Sequence, residues 1–326
     1  MRGRKGVRSI QPKKLVSSSV NVRSLSVRTP SVDLFSASSR FLSANSAITP
    51  ATTPQPKHTN MTTTDNPMPE GMVFPDFPVT VSEQDQTEKL RCCSVDPTVH
   101  GGLVDITALA GESIMATKHA GVSINGSVHV GQYFDLRAPI ELGEPLVLHG
   151  RVTKVVAEPR GHVVTCTFEA ERADGTVPLL MERTSLRIAQ EATKGPLGKG
   201  AAREPERELM RLEATKQLLP ANVAEYSIEA ENLIHSDPAV AREFGFRAPI
   251  AGGLMAVRMM MEVLAQRGPI DQLQMSVRFR RPMFWDEVLE IRSQGSAAMP
   301  EAFAVFQANG KVVNDAVVHA LNGQRA

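Results

Sequence analysis

Three cysteines in 326 residues, Cys92 and Cys93 side by side and Cys166 far away, give neither a disulfide framework nor the ligand spacing of a zinc site. So few, so placed, they point to a reducing compartment. Long apolar runs are lacking as well: the longest candidate, Pro249–Val263, is interrupted by Arg258 and Glu262 and falls short of the ~18 residues of a membrane span. No Gly-x-Gly-x-x-Gly follows a strand pattern and no Gly-Lys-Ser/Thr occurs, which removes a tightly held nucleotide. Acid is nearly missing from one end, where residues 1–64 hold ten Lys/Arg and only Asp33. The rest of the chain therefore carries 26 basic and 34 acidic residues, a net of about −8. Such a body lacks the basic face that nucleic-acid phosphates require. What remains, 42% apolar and 22% charged, is globular composition with enough chain for two domains.

The acid-poor end holds twelve serines in its first 60 residues and no apolar core of a secretory signal, so 1–64 reads as an organelle transit peptide or disordered tail. Arg40-Phe41-Leu42-Ser43 has the form of a matrix-peptidase site, which implies the mitochondrial matrix. The alternative is a cytoplasmic protein whose synthesis starts at Met61.

A break at 191–207, Gly/Pro-rich and then dense in alternating charge, separates two halves, 71–190 and 208–326. They repeat each other. Arg137–Leu148 matches Arg280–Ile291 without a gap at an offset of 143, with Arg137/Arg280, Pro139/Pro282, Glu144/Glu287 and Leu146/Leu289 identical. Alternating strands follow each stretch: Leu146–Val156, Gly161–Ala173 and Val177–Ile188 in the first half; Gln272–Phe284, Val288–Ser293, Ala302–Ala308 and Lys311–Leu321 in the second. Asn309-Gly310 is a two-residue hairpin turn. Before each meander sits one helix. Leu254–Gln266 is apolar all round except for Arg258, Glu262 and Gln266, whose i, i+4, i+8 spacing predicts a thin water-facing strip. A helix so apolar must be wrapped by the meander that follows it. The expected architecture is thus α+β: two curled antiparallel sheets, each around a central helix, lying side by side. Met255, Met259, Met260 and Met261 fill that core, although methionine also suits a tunnel for a flexible chain.

Chemistry concentrates in 226–254. Asp237-Pro238 reads as an N-cap with a first-turn proline, opening a short helix over 238–244. Gly252-Gly253 starts the central helix, where free N–H groups and the positive dipole end polarise a carbonyl oxygen and only glycine lets a ligand approach the backbone. Asn232 and His235 precede it in the chain. A general base beside an oxyanion site is the minimum for chemistry next to a carbonyl.

These residues resemble the signature of the MaoC-like, (R)-specific enoyl-CoA hydratase/dehydratase family, Asp-x-Asn-Pro-(Leu/Ile)-His-x-Asp followed later by Pro-Ile-x-His-Gly. Asn232, Ile234, His235, Asp237, Pro249, Ile250 and Gly253 stand in register, and the resemblance extends over 226–321. It implies a double hot-dog fold and hydration or dehydration of 2-enoyl/3-hydroxyacyl thioesters of coenzyme A or acyl carrier protein, within fatty acid metabolism. His235 would handle water or proton, Asn232 would orient it, and Gly253 with Gly252 would bind the thioester oxygen. The family's catalytic Asp falls on Ala230 and its Pro on Leu233, which leaves Glu231 or Asp237 as candidate substitutes. In an extended segment, Glu229 and Glu231 would face away from Ala230.

A second stretch, Val99–Ser113, resembles acyl-CoA thioesterases of the same fold, in which a His-Gly-Gly opens the central helix and a later acid activates water. It implies an alternative site of His100, Gly101, Gly102 and Glu112. A third alternative is a non-catalytic hot-dog subunit that binds acyl thioesters. Arg278, Arg280 and Arg281 are candidates for the phosphates of coenzyme A, which enters only as part of the substrate; no other cofactor and no metal is expected. His129, His149 and His162 lie in strand patterns and read as surface or sheet residues. Hot-dogs pair, so a homodimer or an intramolecular pseudo-dimer is expected.

Mitochondrial import predicts that terminal sequencing of the native protein finds a start near Leu42; a mature chain beginning at Met1 or Met61 contradicts it.

Overall fold

The computed structural model describes residues 68–124, 127–188 and 203–325, so the expectations for 1–64 and for most of the 191–207 break lie outside the described residues. The order in the first half is β1 (Phe77–Thr80), α1 (Glu83–Cys92), α2 (Thr107–His119), β2 (Ser127–Leu136), β3 (Pro145–Glu158), β4 (Gly161–Glu171) and β5 (Leu179–Ile188). The second half runs β6 (Arg211–Gln217), α3 (Pro220–Tyr226), α4 (Pro238–Glu243), α5 (Gly253–Ala265), β7 (Leu273–Phe279), β8 (Val288–Gly295), β9 (Pro300–Gln307), β10 (Val312–Leu321) and a short β11 (Gln324–Arg325). Glu204 and Arg207, at the end of the break, pair with Arg281 and Glu290 of the second half.

The strands form one sheet in the order β1-β3-β4-β5-β2-β7-β10-β9-β8-β6. Each half thus contributes the same five-strand pattern in mirror order, joined where β2 pairs antiparallel with β7 from Gly131↔Arg278 to Leu136↔Leu273. The 143-residue offset makes Ser276 the equivalent of Tyr133, and these two residues are paired with each other. A pseudo-two-fold axis therefore passes between them. The pseudo-dimer is intramolecular, with bulges at His129/Gly131, Val152/Lys154 and Val318/Ala320 helping each half to curl around its helix.

Local signals explain the elements. Asp237 accepts the N–H groups of Ala239 (2.7 Å) and Val240 (3.3 Å) and starts α4, with Pro238 in its first turn. Gly310, at φ +79°, makes the turn between β9 and β10. From Leu254 to Leu264 every residue of α5 is buried.

That burial corrects the expected water-facing strip. Arg258 is 3% exposed and Glu262 5%. Arg258 pairs with Asp105 at 2.7 Å, while Glu262 pairs with Lys216 at 2.7 Å and accepts the Asp96 N–H at 3.3 Å. The charges are there to meet partners across the molecule, since α5 packs against α2 rather than facing water. A second correction concerns His100-Gly101-Gly102. The pair of glycines makes a turn, with φ +59° and +91°, and α2 begins only at Thr107. The Asp105 carboxylate, not glycine, receives the Thr107 N–H at 3.0 Å.

Met260 is fully buried in α5, where an ionised carboxylate finds no partner. Met260→Asp is expected to cost about 4 kcal/mol or more and lower the thermal midpoint markedly. An unchanged midpoint in calorimetry refutes the central position of α5.

Candidate functional site

After α3 the chain does not extend. Ile228–Ala230 forms a 3-10 turn, Glu231 adopts φ +52°, and a second 3-10 turn, Leu233–His235, is capped by Asn232, whose Oδ1 accepts the Ile234 N–H at 3.3 Å. The alternation expected for Glu229 and Glu231 therefore does not apply. Glu229 pairs with Lys89 at 2.9 Å, and Glu231, exposed, with Lys118 at 3.0 Å. Asp237 is occupied as the cap of α4.

Two hydrogen bonds tie this segment to the loop before α5. His235 Nδ1 donates to the Ile250 carbonyl at 2.7 Å, and the Ile250 N–H donates to the Ile234 carbonyl at 3.2 Å. A carbonyl only accepts, so Nδ1 carries the hydrogen and the neutral ring keeps a lone pair on Nε2. Burial holds the imidazole below its ordinary 6.5, outweighing the opposite pull of the Ile250 hydrogen bond. Two residues on, Gly252 caps α5 without any side-chain partner. The first N–H groups of a helix have no intrahelical acceptor and carry its positive dipole end. Gly253 has a packing reason for its identity as well. A Cβ there would lie 2.6 Å from the Phe279 ring. Asn314, buried among the valines of β10, donates to the Gly253 carbonyl at 3.2 Å and holds the helix start.

A cavity of about 820 Å³ collects these groups. His235, Asn232, Ala230, Gly252 and Gly253 line it, as do Glu112 of α2 and Asp85 and Lys89 of α1. Its volume lies within the range of small-molecule sites. Both halves thus build one site. Burial first, then the charges of Glu229 and Asp85, raise the Glu112 carboxyl above the ordinary carboxylate range, against a smaller opposing pull from Lys89.

The remaining candidates are dispersed. His100 lines a separate small cleft with Met261 and Ile270, away from Glu112. Asp237 and Glu231 do not line the cavity; Arg280 and Arg281 do, and Arg278 does not. Arg278 and Arg280 both pair with Asp315. Sequence reasoning missed Asn314, Phe279, Arg183 and His129. A buried Asn inside an apolar strand was the one available signal. His129 is a sheet residue of β2, as expected, but it also lines the cavity, its ring 4.4 Å from that of Phe279, while His149 meets Asp76 at 2.8 Å and Glu171 at 3.6 Å. Among the described residues no three His, Cys, Asp or Glu side chains come together as a metal site, and no helix is long and apolar enough to cross a membrane.

No protein-family model and no curated protein matches the sequence. Solved structures do match the fold. HtdX from Mycobacterium tuberculosis is 19% identical with a TM-score of 0.62, over 74% of this chain and 98% of that one. A MaoC-like dehydratase from Phytophthora capsici is 15% identical at a TM-score of 0.55, over 79% and 98%. The peroxisomal multifunctional enzyme type 2 of Drosophila melanogaster is 20% identical at 0.57, over 77% of this chain and 48% of that longer one. The chain is an α+β protein of the hot-dog class, as the motif resemblance implied. More particularly, its fold is the one found in MaoC-like dehydratases, two hot-dogs in one chain.

His129 supplies a pH test of this geometry. Burial, with a smaller contribution from Arg183, lowers its pKa from 6.5 to about 3. The unfolded chain then binds a proton that the folded chain refuses, so stability present above pH 6.5 is lost as pH falls toward 3. His129→Gln is expected to flatten the fall of unfolding free energy over that window by up to about 1.4 kcal/mol per pH unit. An unaltered slope in denaturant titrations refutes the buried neutral imidazole.

Proposed function

We propose that this protein adds water to 2-enoyl thioesters, or removes it from 3-hydroxyacyl thioesters. One observation carries the reading: His235, with its Nδ1 engaged, and the uncapped start of α5 line a single cavity and are tied together through Ile250. The thioester oxygen sits at the amides of Gly252 and Gly253, which draw electron density from the conjugated double bond. Water then attacks C3 while His235 Nε2 takes its proton. Asn232 orients the water with its amide NH2, since its oxygen is committed to Ile234. The enolate collects a proton at C2, so one O–H bond of water and the C2=C3 π bond are exchanged for a C3–O and a C2–H bond, and the proton taken by His235 replaces the one delivered to C2. Glu112, whose carboxyl is kept protonated to higher pH, suits the donor. It thereby stands in for the acid that Ala230 lacks. Arg280 and Arg281 line the cavity where carrier phosphates could pair with them.

A second reading, thioester hydrolysis, is favoured only by Glu112, because His100 lies elsewhere. An acyl-ACP thioesterase from Bacteroides thetaiotaomicron shares the fold at 10% identity and a TM-score of 0.50. Enoyl absorbance and thiol release separate these reactions, and a binding subunit gives neither signal.

The expected result is hydration without thiol release, with an acid limb of kcat/KM below pH 6.5 because burial keeps His235 neutral. His235→Ala should lose about 10²–10⁴-fold. Glu112→Gln should lose activity while retaining substrate affinity, and Ala230→Asp should relieve that loss in the double variant. Turnover that survives His235→Ala but not Glu112→Ala sinks the hydratase reading in favour of hydrolysis.

A further inference from the structure

The cavity wall from the first half carries a charge that this chemistry does not use. Two arginines are buried among the described residues, Arg258 and Arg183 of β5. Arg258 has the Asp105 carboxylate. Arg183, 6% exposed, has only neutral acceptors: it donates to Thr117 Oγ1 at 2.6 Å and to Ser113 Oγ at 3.4 Å, and its guanidinium lies 5.4 Å from the centre of the Phe168 ring. The titratable groups in electrostatic reach of it are Cys166, Arg187 and His129, which burial keeps neutral. Burial pushes the Cys166 thiol up, so it stays neutral, and Arg187, which lines the same cavity, is a like charge. Glu112, Asp85 and Glu229 also line the cavity, yet none of them bears on Arg183.

A guanidinium does not escape burial by losing its proton, and a buried charge without a counter-charge is costly. The fold therefore maintains, on a cavity wall, a positive group with no negative partner among the described residues. Its place relative to the proposed chemistry follows from contacts. Phe279 packs on Gly253, the Phe279 and His129 rings are 4.4 Å apart, and Arg183 acts electrostatically on His129. Arg183 is thus linked to the thioester-oxygen site through Phe279 and His129, two residues removed from it, and lines the same cavity.

Resting on the acyl-thioester reading, we infer that Arg183 receives a carboxylate at the far end of the acyl chain, so that the preferred substrates are ω-carboxyl rather than ω-methyl acyl thioesters. The planar fork of arginine matches a carboxylate in two parallel hydrogen bonds, and so enclosed a position suits a small planar anion. The same anionic oxygens could come from a carrier phosphate, and a purely structural Arg183 would only tie β5 to α2. Both are separable by experiment.

Calorimetric binding to the full chain, using saturated pantetheine thioesters that lack phosphate and undergo no hydration, gives the primary comparison. At matched length, the ω-carboxyl ligand is expected to bind at least tenfold more tightly than the ω-methyl ligand. Arg183→Met should reverse that order, and Arg183→Lys should keep part of it. If the methionine variant does not fold, the wild-type ratio and the lysine variant decide the matter. Equal affinities in the wild type, or a ratio unmoved by Arg183→Met while its thermal midpoint falls, overturn the inference and leave a structural arginine. The same series with coenzyme A thioesters tests the other source. If Arg183→Met weakens both coenzyme A ligands alike and leaves the pantetheine ligands untouched, the partner is a carrier phosphate and the carboxylate assignment fails. Binding of neither ligand in either series removes the acyl-thioester reading itself, a result distinct from binding without preference.

Discussion

The ion pair between Arg258 and Asp105 fixes how the two halves share a cavity. Its atoms are 2.7 Å apart and its side chains 4% and 0% exposed. Burial alone would raise the Asp105 carboxyl, but Arg258, His100 and the hydrogen bonds from Thr107 together outweigh it and hold the group below the ordinary carboxylate range. A buried pair adds little net stability compared with apolar residues of the same shape, yet losing one partner strands the other at a cost of about 3–5 kcal/mol. Geometry is what the pair supplies. Arg258 also donates to the Tyr226 hydroxyl at 3.1 Å, and Tyr226 ends α3 immediately before the turns that hold Asn232 and His235. One guanidinium thus ties together the central helix of the second half, the entrance to that of the first, and the segment bearing the proposed base.

The same pair helps to explain why two halves of equal topology differ in chemistry. Both central helices have thirteen residues, and aligned at their first residues they set Thr107 against Gly253 and Glu112 against Arg258. The Asp105 carboxylate accepts the Thr107 N–H and faces Arg258, which places a negative group at the start of α2. A thioester oxygen gains nothing there. The start of α5, uncapped and glycine-lined, is the one that favours developing negative charge. Duplication gave two helix starts, and the charge placed between them leaves one open.

What the sequence made legible was local. Alternation marked the strands of both meanders, Asn309-Gly310 the hairpin, and Asp237-Pro238 the helix cap, because each depends on neighbours a few residues away. Besides the two-residue β11, three strands lacked such a signal. β6, Arg-Leu-Glu-Ala-Thr-Lys-Gln, is a polar edge strand, β1 has only four residues with a proline among them, and β2 contains Gly131 beside a bulge. The charged strip on α5 was misread for a related reason. A buried Arg whose partner lies 153 residues away has the same local spacing as a solvated one. The cavity itself was the least legible feature, since Glu112 and His235 appeared to belong to rival sites until the fold placed both on one wall-to-wall space.

That shared space bears on how a hot-dog without the usual acid at position 230 could still move protons. Two carboxylates beside one histidine would compete for charge, whereas a base and an acid kept in different surroundings hold opposite protonation states at the same pH. Burial favours the neutral form of His235, and the Nδ1 hydrogen bond to Ile250 puts that form's lone pair on Nε2. Glu112 is partly buried and feels the negative charges of Glu229 and Asp85, which favours its protonated form. Burial moves the two groups in opposite directions because it opposes charge of either sign, making the histidine a weaker acceptor and the carboxyl a weaker donor than in water. The carboxyl is thereby brought toward the operating pH, while the histidine, moved below 6.5, is left in its neutral, proton-accepting form. On the proposed reading, the low-dielectric cavity supplied jointly by the two halves does the work that a dedicated aspartate beside the histidine would otherwise do.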